Sequence, residues 1–405
     1  MVGTTPKEDG DFRRAAIPLR RKLVFSAFVV VAFLTVAELV ARLTWTPPTV
    51  SGRAVGTRRF VNWLSDLSLG GRSPLKLYES DSQRLWKLTP NQQFRSFNFH
   101  CAKNGELQPI TITVNSDGYR GQMTSAEEMA AADFSVLCMG DSNFFGYPLD
   151  DRFAFPTVLT QSLADRLQPQ SVRLVNGGIP GYTTVQGRIW YEQTFSRHQF
   201  DWLLLSYINN DAWLQPKSDD DLIQESRSHL GSGFVDRLAE KSALLKALRS
   251  WKNQSPRTMT EVPRVSLDQF VRNYQSFLEV AGKHRAKVLI LDYCVYQDYG
   301  PYVEALRQLA SDAPDVYYYA VPENVLEALE AGVHQTQYGK FLPSIRRRWG
   351  DAALQENPLL WFYAEFHPEH LNELGTAWLS DQIVKRFLLP ESSAPVENQI
   401  QPEPP

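Results

Sequence analysis

A chain of 405 residues with 43% hydrophobic content is long enough to bury one large core, and its formal net charge of −3 offers no basic face for nucleic acid. Three cysteines in that length make no disulfide framework. Cys138 and Cys294 lie within apolar strand patterns and read as small buried side chains.

At the amino end, Arg20-Arg21-Lys22 precedes an uncharged run from Leu23 to Ala37. Leu39 to Trp45 extends that run to bilayer length if Glu38 and Arg42 are accommodated. Those two residues are four apart on a helix and can pair on one face near the outer interface, where Trp45 also suits. The positive cluster ahead of the run places residues 1–22 in the cytoplasm, residues 23–45 in the lipid bilayer as a transmembrane helix, and the remainder on the extracytoplasmic side. Two other readings stay open: a signal peptide cleaved after Thr35-Val36-Ala37, or the buried helix of a soluble protein. The long polar lead through Lys22 favours the anchor over cleavage.

Thr46-Pro47-Pro48 breaks the helix and opens a juxtamembrane region, 46–110, without long periodicity. Its Trp63, Trp86 and the aromatic run Phe94 to Phe99 predict that it is packed. In the main domain, 111–389, strand patterns at 134–139, 171–175, 201–207, 287–294 and 315–320 alternate with helical ones, which predicts a parallel α/β/α sandwich. The insertion from Leu214 to Val262 carries a charged helix, Phe234 to Trp251, that reads as a lid or part of a substrate wall. The proline-rich tail, 390–405, is expected to be disordered.

Chemistry concentrates in four places. The apolar run Val136-Leu137-Cys138-Met139 stops at Gly140-Asp141-Ser142-Asn143 and exposes a hydroxyl at the carboxyl end of a buried strand, where ligands bind in open α/β sheets. Gly-Asp-Ser alone is ordinary turn chemistry, with Asp141 as a turn residue that positions Ser142. Farther on, Asn176-Gly177-Gly178-Ile179-Pro180-Gly181 reads as a strand end running into a loop too rich in glycine for a strand interior, where a bare backbone N–H can approach a reacting oxygen. A third pattern, Phe200 to Asp211, ends in Asn209-Asn210, amides able to donate to a developing oxyanion. Last, His367-Pro368-Glu369-His370-Leu371-Asn372-Glu373-Leu374-Gly375 precedes a final helix and offers a general base. His367 and His370 could share one face of a turn as metal ligands, but no third ligand is identifiable and Cys101, Cys138 and Cys294 lack metal-site spacing. No metal or cofactor is expected.

The order of these parts resembles the SGNH/GDSL hydrolase family over roughly residues 110 to 388. Ile112 to Gly121, with Phe145-Gly146, Asp150-Asp151 and Phe155-Pro156 after the serine, is similar to membrane-anchored members. The resemblance implies a flavodoxin-like parallel sheet in a three-layer α/β/α sandwich, with Ser142 as nucleophile and His370 as base. It also implies oxyanion donors at Gly181 and Asn210. Two positions depart from the family pattern. His367 stands where an aspartate orients the histidine, which leaves Glu365, Glu369 or a backbone carbonyl to accept the second imidazole N–H. Ile208 stands where glycine is usual. The implied activity is that of an esterase or deacylase on an ester-bearing small molecule or polysaccharide. An acyltransferase using the same residues and a non-catalytic binding protein are the alternatives.

Overall fold

The computed structural model describes residues 18–44, 77–97, 109–228, 242–252, 261–364 and 368–389. Trp45, Trp63, Glu365, His367 and the proline-rich tail fall outside those residues. The chain divides into two compact units, residues 1–49 with 232–257 and residues 50–231 with 258–405.

In the first unit, helix α1 spans Leu19–Thr44. Its stretch Arg20–Arg42 has a mean hydropathy of 2.5, so by length and composition it could cross a membrane. Arg42 Nε lies 2.8 Å from Glu38 Oε1, the pairing expected for charges four apart on a helix.

The second unit is built on five parallel strands: β1 (Phe134–Gly140), β2 (Val172–Gly178), β3 (Trp202–Ser206), β4 (Lys287–Asp292) and β5 (Val316–Ala320). Their order across the sheet is β2-β1-β3-β4-β5, the flavodoxin-like arrangement. Alternate residues of β1 enter two cores. Leu137 and Met139 pack with the helices Thr184–Trp190 and Leu267–His284, whereas Val136 and Cys138 pack with Phe155–Leu167, Val321–Glu330 and Glu373–Ile383. This is a three-layer α/β/α sandwich. The chain leaves β1 toward β2 on one side and returns as β3 on the other, so a crevice opens between β1 and β3 at their carboxyl ends.

Two strand ends differ from the sequence reading. β2 does not stop at Val175: Gly177 and Gly178 remain in the ladder, opposite Met139 and Gly140. β4 ends at Asp292, short of Cys294. The Asp292 carboxylate accepts the Cys294 N–H at 2.7 Å and turns the chain out of the sheet. Cys294 is consequently half-buried rather than a strand residue, and burial pushes its thiol up to about 12.

Residues ahead of the sandwich form two antiparallel hairpins, Tyr78–Asp81 with Leu85–Leu88 and Gln92–Phe97 with Pro109–Val114. Arg120, 2% exposed, fastens the second hairpin beneath the serine turn. Its guanidinium pairs with Asp151 at 2.8 Å and donates to the carbonyls of Phe145, Gly146 and Leu149 at 2.8, 3.1 and 2.7 Å. Asp150 and Asp151 in turn accept the N–H groups of Thr111 and Thr113. The Asp-Gly-Tyr-Arg and Asp-Asp motifs thus form one polar clamp.

Asp211 ties the end of β3 to the neighbouring helices. Fully buried, it accepts the Thr184 N–H at 2.9 Å and the Thr184 hydroxyl, and its carbonyl accepts the Val265 N–H at 3.0 Å. Burial outweighs these bonds and the Arg264 charge, holding the carboxyl up to about 7. The unfolded chain therefore ionises this group before the folded one does. Its effect is to lower stability as pH rises from about 4 to about 7, with no further change above that window. Asp211→Asn removes this dependence while keeping an acceptor for Thr184. Urea unfolding across that window should show the variant gaining on the parent as pH rises, by roughly 4 kcal/mol at most for a shift of this size. A constant difference between variant and parent would contradict it.

Candidate active site

The site begins with space at the ends of β1 and β2. A Cβ on Gly140 would lie 2.7 Å from the Phe144 ring and 2.9 Å from the Ser206 carbonyl. One on Gly178 would lie 2.2 Å from the Phe145 nitrogen. Bare backbone at both positions lets the one-turn helix Ser142–Phe145 press onto the sheet, and this sets Ser142 at the mouth of the β1–β3 crevice. Gly177 and Gly178, which suggest a loop in the sequence, are strand residues, and Gly178 forms part of this seat.

Asp141 caps the short helix. One carboxylate oxygen accepts the Asn143 N–H at 2.9 Å, and the other accepts the Asn210 side-chain amide at 3.0 Å. A single buried group therefore fixes both the serine turn and the amide arriving from the end of β3. Burial raises its carboxyl above the ordinary range, against the Asn143 N–H and the charge of His370. The bond to Asn210 has no signal in the local sequence. Ile208, where the resembled family has glycine, is buried with φ at −169°, an extended value that suits any residue, so its side chain packs into the core.

His370 is held by its neighbours. Asn372 is fully buried and caps the helix Glu373–Ile383 by accepting the N–H groups of Leu374 and Gly375, both at 2.9 Å. Its amide nitrogen faces the carbonyls of Leu360, Trp361 and Tyr363 at 3.1, 3.0 and 3.2 Å. The His370 carbonyl accepts the Ala364 N–H at 2.8 Å. A Cβ on Gly375 would lie 2.2 Å from the Phe362 carbonyl, so only glycine fits there. These bonds account for the His-Leu-Asn-x-x-Gly motif as a mount for the imidazole. Its Nε2 stands 2.8 Å from Ser142 Oγ, and the ring meets Tyr147 edge-on with centroids 5.1 Å apart.

Gly181 sits in the turn after β2 with φ of +78°, in the left-handed region that favours glycine. The turn reaches the serine through backbone: the Ile179 N–H donates to the Gly140 carbonyl at 3.1 Å. The first hairpin braces it from outside. Trp86 Nε1 donates to the Pro180 carbonyl at 3.3 Å, and the Tyr182 hydroxyl donates to the Trp86 carbonyl at 2.7 Å. This bracing is absent from the sequence reading, in which the conspicuous Trp86 is the one available signal.

Of the groups offered for orienting His370, Glu369 accepts a hydrogen bond from the Tyr296 hydroxyl, while Glu365 and His367 lie outside the described residues. Among the described residues there is no group of three or more His, Cys, Asp or Glu placed to hold a metal ion. A cleft of about 600 Å³ opens where β4 and β5 end, lined by Tyr296, Arg307, Glu323 and Tyr363, and by Pro368 of the His370 loop.

No family model matches this chain, and no curated protein does. Similar solved structures include an acetyl xylan esterase, 16% identical, with 62% of this chain and 98% of that one covered at a TM-score of 0.36. A lipase/acylhydrolase from Enterococcus faecalis is 11% identical, with 62% and 94% covered at a TM-score of 0.36. A lipolytic protein of the G-D-S-L family from Desulfitobacterium hafniense is 16% identical, with 46% and 76% covered at a TM-score of 0.29. At these scores the reading of the site rests on its own geometry.

Proposed function

We propose that this protein is an SGNH-type serine esterase or deacylase that works through an acyl-enzyme, and that α1 anchors it in the membrane with the catalytic domain outside. The observation that carries the catalytic reading is the 2.8 Å separation of His370 Nε2 and Ser142 Oγ. At that distance a neutral imidazole can take the hydroxyl proton as the oxygen attacks an ester carbonyl. The imidazolium then protonates the departing alcohol, and water activated by the same imidazole releases the acid. Charge on the carbonyl oxygen is met by backbone N–H groups at Ser142 and Gly181 and by the Asn210 amide. That amide gives one hydrogen to Asp141 and keeps a second for the substrate. Asp141 is a positioning residue here.

Acyl transfer, in which an acceptor alcohol such as a sugar hydroxyl takes the place of water, is the alternative that the same residues would serve. Both readings use the same acyl-enzyme.

Ser142→Ala and His370→Ala should each abolish hydrolysis of short-chain aryl esters while leaving the circular dichroism unchanged. Asn210→Ala should lower kcat by about 10²–10³ with little change in KM, the loss typical of one oxyanion donor. Full activity in Ser142→Ala would contradict the assignment, and a parent protein that turns over no ester would favour a binding role. For topology, protease added to right-side-out vesicles should remove all but a small amino-terminal fragment. Complete protection would show that the domain faces the cytoplasm.

A further inference from the structure

Glu38 is the one acidic residue of α1, and a carboxylate in a helix of bilayer length is costly unless it is satisfied. Both of its oxygens are engaged. Oε1 accepts from Arg42 Nε at 2.8 Å and from the Ala243 N–H at 3.0 Å. Oε2 accepts from the Ser242 hydroxyl at 2.7 Å and from the Leu244 N–H at 3.1 Å. Glu38 therefore caps the amino end of a helix, Ala243–Lys252, that arises from the insertion. One turn beyond Glu38, Ala41 is buried, the only such residue among the described side chains of α1. The capped helix reads Ala-Leu-Leu-Lys-Ala-Leu-Arg-Ser-Trp-Lys, a sequence with three cations and no acid. Its Leu245 and Leu248 are 37% and 48% exposed.

We propose that Ala243–Lys252 is an interfacial helix whose partner is an anionic bilayer surface, with Leu245 and Leu248 at the acyl boundary. The inference rests on the anchoring reading of α1 and is independent of the chemistry at Ser142. The occupant follows from continuity and depth. The helix is fixed to a segment whose other exposed side chains, among them Phe25, Phe28 and Phe33, are those of a lipid-facing surface. Glu38 lies four positions before Arg42, where the stretch apolar enough to cross a membrane ends, about 6 Å along the helix axis, so in the anchoring reading it lies close to the interface. An amphipathic, cationic helix with exposed leucines fits that boundary, and Glu38 supplies the lock that sets its position.

The insertion departs from and rejoins the catalytic domain at the short ladder Leu214–Gln215 with Val262–Pro263, a few residues after Asn210.

The test uses the full chain in nanodiscs of phosphatidylcholine and phosphatidylglycerol, with a genetically encoded environment-sensitive fluorescent residue in place of Leu248 or, separately, of Val30. Lipids brominated near the ester end of the acyl chain should quench the 248 probe about twofold or more, and lipids brominated deep in the chain should quench the 30 probe. Glu38→Gln should relieve the quenching at 248 and leave that at 30 unchanged. Quenching at 30 without quenching at 248 would overturn the interfacial helix alone. Absence of quenching at 30 would overturn the anchor and the proposal with it, and full quenching at 248 in Glu38→Gln would refute the lock.

Discussion

The catalytic reading depends on a steric constraint: the one-turn helix Ser142–Phe145 must sit against backbone that carries no side chain. Gly140 and Gly178 provide that seat from adjacent strands held in register, so sheet geometry is transmitted to the serine without an intervening flexible group. Any Cβ there would meet backbone or a packed aromatic ring, and a core this dense does not yield by ångströms. The Asp141 cap then follows from the same turn. Because Asp141 also holds Asn210, the seat fixes the relation between Ser142 and Asn210 as well.

Polar clamps complete the site, each built from a residue that is wholly or almost wholly buried. Arg120 binds the loop after the serine helix through carbonyls and Asp151, and Asn372 binds the loop that carries His370 through carbonyls on one side and helix N–H groups on the other. Leaving such groups unpaired in the interior costs about 1–3 kcal/mol each, so the loops have strong reason to stay in one arrangement. Preorganisation of this kind is what oxyanion stabilisation requires, since donors that must reorient during the reaction lose much of their effect.

The strands were legible because parallel strands buried on both faces are continuous apolar runs, and Trp202 to Ser206 shows no other pattern. The serine turn and the histidine motif were legible because their short spacings, such as Asn372 to Gly375, encode local caps. What escaped was long-range. The Asp141–Asn210 bond joins residues 69 positions apart, and Glu38 meets Ser242 across 204. Gly177 and Gly178 misled because a missing side chain reads as a loop signal locally, whereas here its absence serves a tertiary contact. The contact of the insertion's helix Ala243–Lys252 with α1 likewise has no local signal.

The central claim is that His370 activates Ser142 as a nucleophile. The most direct measurement is mass spectrometry of the full chain after treatment with a fluorophosphonate, which reacts with activated serines and not with ordinary ones. The account predicts a single phosphonyl adduct on the peptide containing Ser142, absent when His370 is alanine. No adduct, or one at another residue, would contradict it.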